Sequence, residues 1–215
     1  MPPRRTRRAA TLVPSRLVLI TLFDYGAGNL HSLAKALERP GDVVRIETDP
    51  RRAVETDLLV LPGVGAFAAA AERLAPGRDR MRAALRDGLP CVGICLGMQL
   101  LFDESEEGPG AGLGVVPGRV ERLRARRVPQ IGWNALEDAR DPLFARAPLD
   151  VAYYANSFVC RPADATAVIA WSTHEGDRFA AAVRAGNTVG VQFHPEKSSA
   201  AGVAFLRAAA EEAVR

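Results

Sequence analysis

Cysteine is scarce in this 215-residue chain. Its three thiols, Cys91, Cys95 and Cys160, cannot form an even disulfide framework, which suits a reducing compartment and leaves room for a reactive thiol. No second Cys or His pair stands at zinc-like spacing from Cys91 and Cys95, so no metal site is expected. Long apolar runs are missing too: no stretch of 18 residues is free of charge, although a membrane-spanning helix needs about that length. The N-terminal segment lacks the apolar centre of a secretory signal. Acidic residues are absent before Leu17, where Arg4, Arg5, Arg7, Arg8 and Arg16 carry +5 and leave the rest of a +3 chain at −2. Residues 1–16 are therefore expected to be a disordered basic tail, superficially like an organellar transit peptide, with one domain over 17–215. A cytosolic (cytoplasmic) protein is expected, bound to no membrane. Nucleic-acid binding needs a basic face on the folded part. The only further basic run, Arg119 to Arg127, reads as a solvated strand and turn.

What is present is enough apolar residue, 48% of the chain, for one sizeable α/β core. Strand-length apolar runs at Leu17 to Phe23, Val43 to Glu47, Leu58 to Leu61 and Leu89 to Ile94 alternate with amphipathic segments at Asn29 to Arg39, Ala66 to Leu74, Arg78 to Asp87 and Leu96 to Phe102. This rhythm predicts an open, mostly parallel sheet flanked by helices. After Gly108 short strands are expected at Arg119 to Leu123, Asn134 to Leu136, Val151 to Ala155, Ala167 to Ser172, Phe179 to Val183 and Thr188 to Phe193, as antiparallel additions. A closing helix from Ser199 to about Val214 has Val203, Leu206 and Ala210 on one face.

Two motifs carry chemistry. In Gly93-Ile94-Cys95-Leu96-Gly97 the cysteine falls on the sharp turn between a buried strand and a helix, a nucleophile elbow with sulfur in place of oxygen. The helix N-terminus and a nearby protonated histidine favour thiolate in such a setting. In Phe193-His194-Pro195-Glu196 a carboxylate two residues beyond the histidine can return to one imidazole nitrogen, leaving the other to face Cys95. The competing reading makes Cys95 a buried structural thiol and His194 a satisfied core histidine. Pro62-Gly63-Val64-Gly65-Ala66-Phe67 ends a strand and opens a helix. Its backbone N–H groups, with that of Leu96, could form an oxyanion hole, or the segment is a plain turn. Gly26-Ala27-Gly28 invites a dinucleotide reading, but the third glycine of that fingerprint would fall at His31, so no cofactor is expected.

The elbow followed by His-x-Glu resembles the class I (triad-type) glutamine amidotransferases, over nearly everything after Leu17. Asp24 to Leu30, Pro62 to Phe67, Gly93 to Gly108, Gly132-Trp133-Asn134 and His194 to Ser198 are together similar to one family within them, the glutaminase subunits of imidazole glycerol phosphate synthase in histidine biosynthesis. The resemblance implies a glutaminase acting on L-glutamine through Cys95, His194 and Glu196. It implies oxyanion and substrate contacts from Val64, Gly65, Leu96, Gln99 and the segment Asn156-Ser157-Phe158. It also implies a heterodimer with a (β/α)8-barrel cyclase subunit, meeting it near Asn29, Trp133 and Asn134, to which ammonia is channelled. Core packing is the alternative for Trp133. Two positions depart from the pattern: Asn156-Ser157-Phe158 stands where the family usually has His-Ser-Tyr, and Gln130 where a histidine is common before Gly-Trp-Asn.

Overall fold

The computed structural model describes residues 17–26, 28 and 30–214. The expected basic tail over residues 1–16 and the interface candidate Asn29 lie outside the described residues. The first half alternates as its apolar runs require: β1 (Leu19–Phe23), α1 (Leu30–Leu37), β2 (Val43–Glu47), β3 (Leu58–Leu61), α2 (Phe67–Leu74), α3 (Arg78–Arg86), β4 (Cys91–Ile94) and α4 (Leu96–Gln99). Side chains on a strand point alternately to its two faces, and both faces are covered here. Ile20, Leu22, Leu58, Val60, Val92 and Ile94 pack in one cluster with α1, while Phe23, Leu59, Leu61 and Cys91 pack in another with α2 and α3. A sheet buried on both sides explains why the strands read as continuous apolar runs rather than as alternating ones.

The second half contributes β5 (Glu104–Ser105), β6 (Gly118–Arg122), β7 (Gln130–Ala135), α5 (Pro142–Arg146), β8 (Val151–Asn156), β9 (Phe158–Pro162), β10 (Val168–His174), β11 (Asp177–Ala185), β12 (Thr188–Val191) and α6 (Ser199–Ala213). The main sheet has seven strands in the order β10-β11-β12-β4-β3-β1-β2. β5, β6 and β9 form a three-stranded sheet, and β7 pairs with β8 as an antiparallel ribbon.

The open, mostly parallel α/β sheet is therefore as the apolar pattern predicts, with one correction. The last strand is no antiparallel addition on its inner side: β12 runs parallel to β4, register Val191 to Ile94, and only its outer edge pairs antiparallel, with β11. This places the chain after Val191 beside the chain after Ile94, so His194 and Cys95 leave the sheet at the same carboxyl edge, where open α/β sheets carry their sites. The segment expected to be helical from Leu96 to Phe102 is helical only to Gln99 and ends in turns. β9 and α5 were not anticipated, although Asp141, whose side chain accepts from the Leu143 N–H, and Pro142 at the first turn form a readable helix start for α5.

The glycines flanking Cys95 answer to packing. A Cβ on Gly97 would sit 2.0 Å from the Leu61 carbonyl oxygen, and one on Gly93 would sit 2.8 Å from the Gly97 carbonyl oxygen. Helix α4 thus rests directly on the backbone of β3 and β4, which no side chain at either position permits. Gly97→Ala is expected to destabilise the protein by about 1–3 kcal/mol through overpacking. It should lower Tm by about 2–12 °C; an unchanged Tm in a thermal melt would contradict the close approach.

Candidate active site

Cys95 holds φ 49° and ψ −103°, a left-handed conformation rare for a non-glycine residue. Its N–H donates to the Val191 carbonyl at 2.7 Å and its carbonyl accepts from the Gln99 N–H at 3.1 Å. The elbow is therefore tied to β12 on one side and closes the first turn of α4 on the other. The sulfur opens into a cleft of about 300 Å3 lined by Gly63, Val64, Gly65, Leu96, Gln99, Glu107 and the segment from Ala155 to Phe158. All seven residues expected to contact substrate, Val64, Gly65, Leu96, Gln99, Asn156, Ser157 and Phe158, meet on this cleft. Gly63 packs so closely that a Cβ there would touch the His194 ring at 3.1 Å.

His194, 1% exposed, follows β12 by three residues. Its backbone is bracketed by β8: its N–H donates to the Tyr153 carbonyl at 2.8 Å, and its carbonyl accepts from Ser198 Oγ at 2.7 Å, which accepts in turn from the Tyr153 N–H at 2.9 Å. Its Nδ1 lies 2.9 Å from Glu196 Oε1, while Nε2 is buried with no hydrogen-bond partner in the protein. Burial pushes the imidazolium down in pKa, but the neighbouring Cys95 sulfur and the Glu196 carboxylate more than offset this and raise His194 to about 9. At neutral pH the ring is thus an imidazolium, with Nδ1–H donating to Glu196 and Nε2–H held for the sulfur or for a leaving group.

Three contributors escaped the sequence reading. Gln192, fully buried, donates from Nε2 to Cys95 Sγ at 3.5 Å; its readable signal is a lone amide in the apolar run from Val189 to Phe193. Tyr25, buried, donates its hydroxyl to the Pro62 carbonyl at the head of the Pro62 to Gly65 loop, and burial drives its phenol well above the usual range. Glu107 accepts from the Phe67 N–H at 2.9 Å, supplying the N-terminal cap that Ala66 lacks. It is also the only charged side chain among the described residues lining the cleft.

The described interface candidates, Trp133 and Asn134, lie on β7. Trp133 is 56% exposed, so it does not pack in the core, and it shares the outer face of the ribbon with Ile131 and Val151. Its ring meets Tyr153 edge-on at 6.2 Å. Asn134 turns to the other face and donates to the Thr173 carbonyl at 3.0 Å.

A cysteine on a strained elbow stands with a carboxylate-held histidine at a cleft on the carboxyl edge of a parallel sheet, and the sequence model of class-I glutamine amidotransferases matches residues 21–210. The chain belongs to that family. Within it the chain is 48% identical over 190 residues to imidazole glycerol phosphate synthase subunit HisH of Thermus thermophilus, covering 86% of this chain and 93% of the relative. It is 44% identical over 198 residues to the HisH subunit of Halobacterium salinarum, covering 87% and 90%, so it is a member of the HisH family. Among solved structures it shares its fold with PurLQS of Thermotoga maritima, at TM-score 0.68, 19% identity and 91% and 99% coverage. A glutamine amidotransferase of the same organism gives TM-score 0.66 at 19% identity, covering 93% and 98%.

The raised histidine is expected to set the alkaline side of the pH profile. A base whose folded pKa is raised keeps its proton, and the stabilisation from its partners, until pH climbs through that value. Activity needing the imidazolium should therefore persist to about pH 9 and fall above it. In Glu196→Gln one of the raising partners is lost, and the alkaline limb of kcat/KM should move down by about one unit. A limb left in place would remove Glu196 from this role.

Proposed function

We propose that this chain is the glutaminase subunit of imidazole glycerol phosphate synthase, hydrolysing L-glutamine through Cys95, His194 and Glu196 and delivering ammonia to a (β/α)8-barrel cyclase subunit in a cytoplasmic heterodimer. The observation that carries the reading is the juxtaposition of Cys95 with the Glu196-held His194 at a cleft of amino-acid size, in a chain 48% identical to HisH. No helix among the described residues is long and apolar enough to cross a membrane.

The chemistry follows from the positions. The Cys95 thiolate attacks the side-chain amide carbon of glutamine, and the developing oxyanion turns toward the backbone of Val64, Gly65 and Leu96. One such donor contributes about 2.7–4 kcal/mol in comparable acyl transfers. His194 gives its Nε2 proton to the departing nitrogen, releasing ammonia and leaving a γ-glutamyl thioester. Water then attacks the thioester as His194 takes a proton from it, and thiolate and imidazolium are restored with glutamate as product. Glu107 suits the α-ammonium of the substrate by charge, and the backbone of Asn156 to Phe158 suits its α-carboxylate.

Ammonia lost to water is mostly protonated and no longer nucleophilic, so a partner must receive it directly. The apolar outer face of the β7–β8 ribbon, with exposed Ile131, Trp133 and Val151, borders Ala155 at the cleft and offers the surface for that partner. In the complex the barrel subunit uses the ammonia to form imidazole glycerol phosphate and aminoimidazole carboxamide ribonucleotide.

The test is glutamate formation by the purified chain, alone and with the barrel synthase and its ribonucleotide substrate. A large rise only in the full mixture is expected; strong activity by the chain alone would make it an independent hydrolase. Cys95→Ser should abolish glutamine-dependent synthesis yet leave ammonia-dependent synthesis by the partner intact, and loss of both would make Cys95 structural. Trp133→Ala should weaken binding of the barrel subunit by about 2 kcal/mol, roughly 30-fold, measured by calorimetry. Unchanged affinity would move the interface elsewhere.

A further inference from the structure

Gln192 is a fully buried amide between the last strand and the nucleophile. Its backbone N–H donates to the Ala181 carbonyl at 2.8 Å, which holds the residue in line with β12. Gln192 and His194, just past the end of β12, both stand beside Cys95, Gln192 through its amide and His194 through its ring. The side chain is part of a polar relay. Gln99 Nε2 donates to the Phe158 carbonyl at 3.2 Å and to Gln192 Oε1 at 3.5 Å, and Gln192 Nε2 donates to Cys95 Sγ at 3.5 Å.

The direction of this relay is fixed at its far end. The two ends of a side-chain amide are hard to tell apart by shape, but a backbone carbonyl can only accept. Phe158 therefore requires the nitrogen of Gln99 beside it. That nitrogen also faces Gln192, so Gln192 must present its oxygen there and its nitrogen to the sulfur. A neutral thiol gains little from an amide donor, because sulfur is a weak acceptor. A thiolate gains a charge-assisted hydrogen bond from the same amide.

We propose that Gln192 is a further catalytic residue of the glutaminase site: its amide donates to the Cys95 thiolate and holds it, oriented by Gln99 and the Phe158 carbonyl. This rests on Cys95 being the nucleophile. The thiolate then has two partners of different kind. His194 supplies a proton that must leave during turnover, whereas Gln192 supplies one that stays, so the sulfur has the same donor each time it stands as thiolate, before attack and on leaving the hydrolysed thioester. A hydrogen bond to a charged group contributes enough that its loss is read as about a 10- to 100-fold change.

The experiment is the pH dependence of Cys95 alkylation by iodoacetamide in the full chain, beside glutaminase kinetics of the partnered enzyme. Cys91 and Cys160 are buried, and Cys95→Ser gives the background. Gln192→Met keeps the size and removes the donor. Its alkylation profile should move about one unit toward higher pH, with kcat lower by about 10- to 100-fold and KM changed much less. A residue that merely fills space would alter neither the profile nor the kcat-to-KM split. Superimposable alkylation profiles with kcat within twofold would overturn the proposal. If Gln192→Met fails to fold, Gln192→Glu is read instead: a carboxylate beside the sulfur should move the profile further the same way, and an unmoved profile overturns the proposal equally. Retained hydrolysis in Cys95→Ser would reject the nucleophile itself, a failure distinct from an unmoved profile in a Cys95-dependent enzyme.

Discussion

The left-handed backbone at Cys95 is the constraint on which the site depends. A non-glycine residue in such a region carries strain on the order of 1–3 kcal/mol, and it persists only where the surroundings over-determine it. Here β3, β4 and β12 pair side by side, the Cys95 N–H is held by the Val191 carbonyl, and α4 lies on the backbone of Leu61 because Gly97 has no Cβ. Relaxing Cys95 would require lifting α4 or breaking the bond to β12. With α4 only four residues long, what reaches the sulfur is the set of N–H groups at its first turn rather than the summed dipole of a long helix.

That constraint also explains why one strand supplies so much of the site. Val191 accepts the Cys95 N–H, Gln192 donates to its sulfur, and His194 stands opposite with Glu196 behind it. These contacts follow from β12 lying parallel to β4 with Val191 level with Ile94. Had β12 joined β4 antiparallel, the chain would leave at the other end of the sheet and no base could reach the elbow. A slip of one residue would take Val191 out of register with Ile94 and break its bond to the Cys95 N–H.

The fold, and the elbow and His-x-Glu that it brings to one cleft, were legible because each rests on local signals. Continuous apolar runs mark strands buried on both faces, and the elbow and His-x-Glu act over spans of a few residues. What was missed depends on contacts distant in sequence. The orientation of β12 is chosen by its partner β4, about a hundred residues earlier, and nothing between Thr188 and Phe193 announces it. Strand β7 begins at Gln130, four residues before the expected start, as the partner of β8. Gln192 and Glu107 are single polar residues whose partners, Cys95 and the Phe67 N–H, lie 97 and 40 positions away. Asn134, named beside Trp133 by the resemblance, turns to the other face of β7 by strand alternation, where its side chain meets the Thr173 carbonyl.

The β7–β8 ribbon joins these parts through its two faces. On the outer face Trp133 rests against Tyr153, and the backbone of Tyr153 is bonded directly to the His194 N–H and, through Ser198 Oγ, to the His194 carbonyl. A load on the exposed tryptophan is thus one residue removed from the backbone that carries the base. On the inner face Gln130 and Asn156, the two departures from the family pattern, are register partners on neighbouring strands. Both are buried, and each leaves one side-chain oxygen without a partner in the protein. They are accordingly a single local change rather than two. Asn156 Nδ2 donates at 3.1 Å to the Phe158 carbonyl, the group that also anchors Gln99. Its amide therefore holds the cleft wall and, through Gln99, the relay behind the nucleophile, so the altered pair acts on the support of the site while the backbone of the Asn156 to Phe158 segment still lines the cleft.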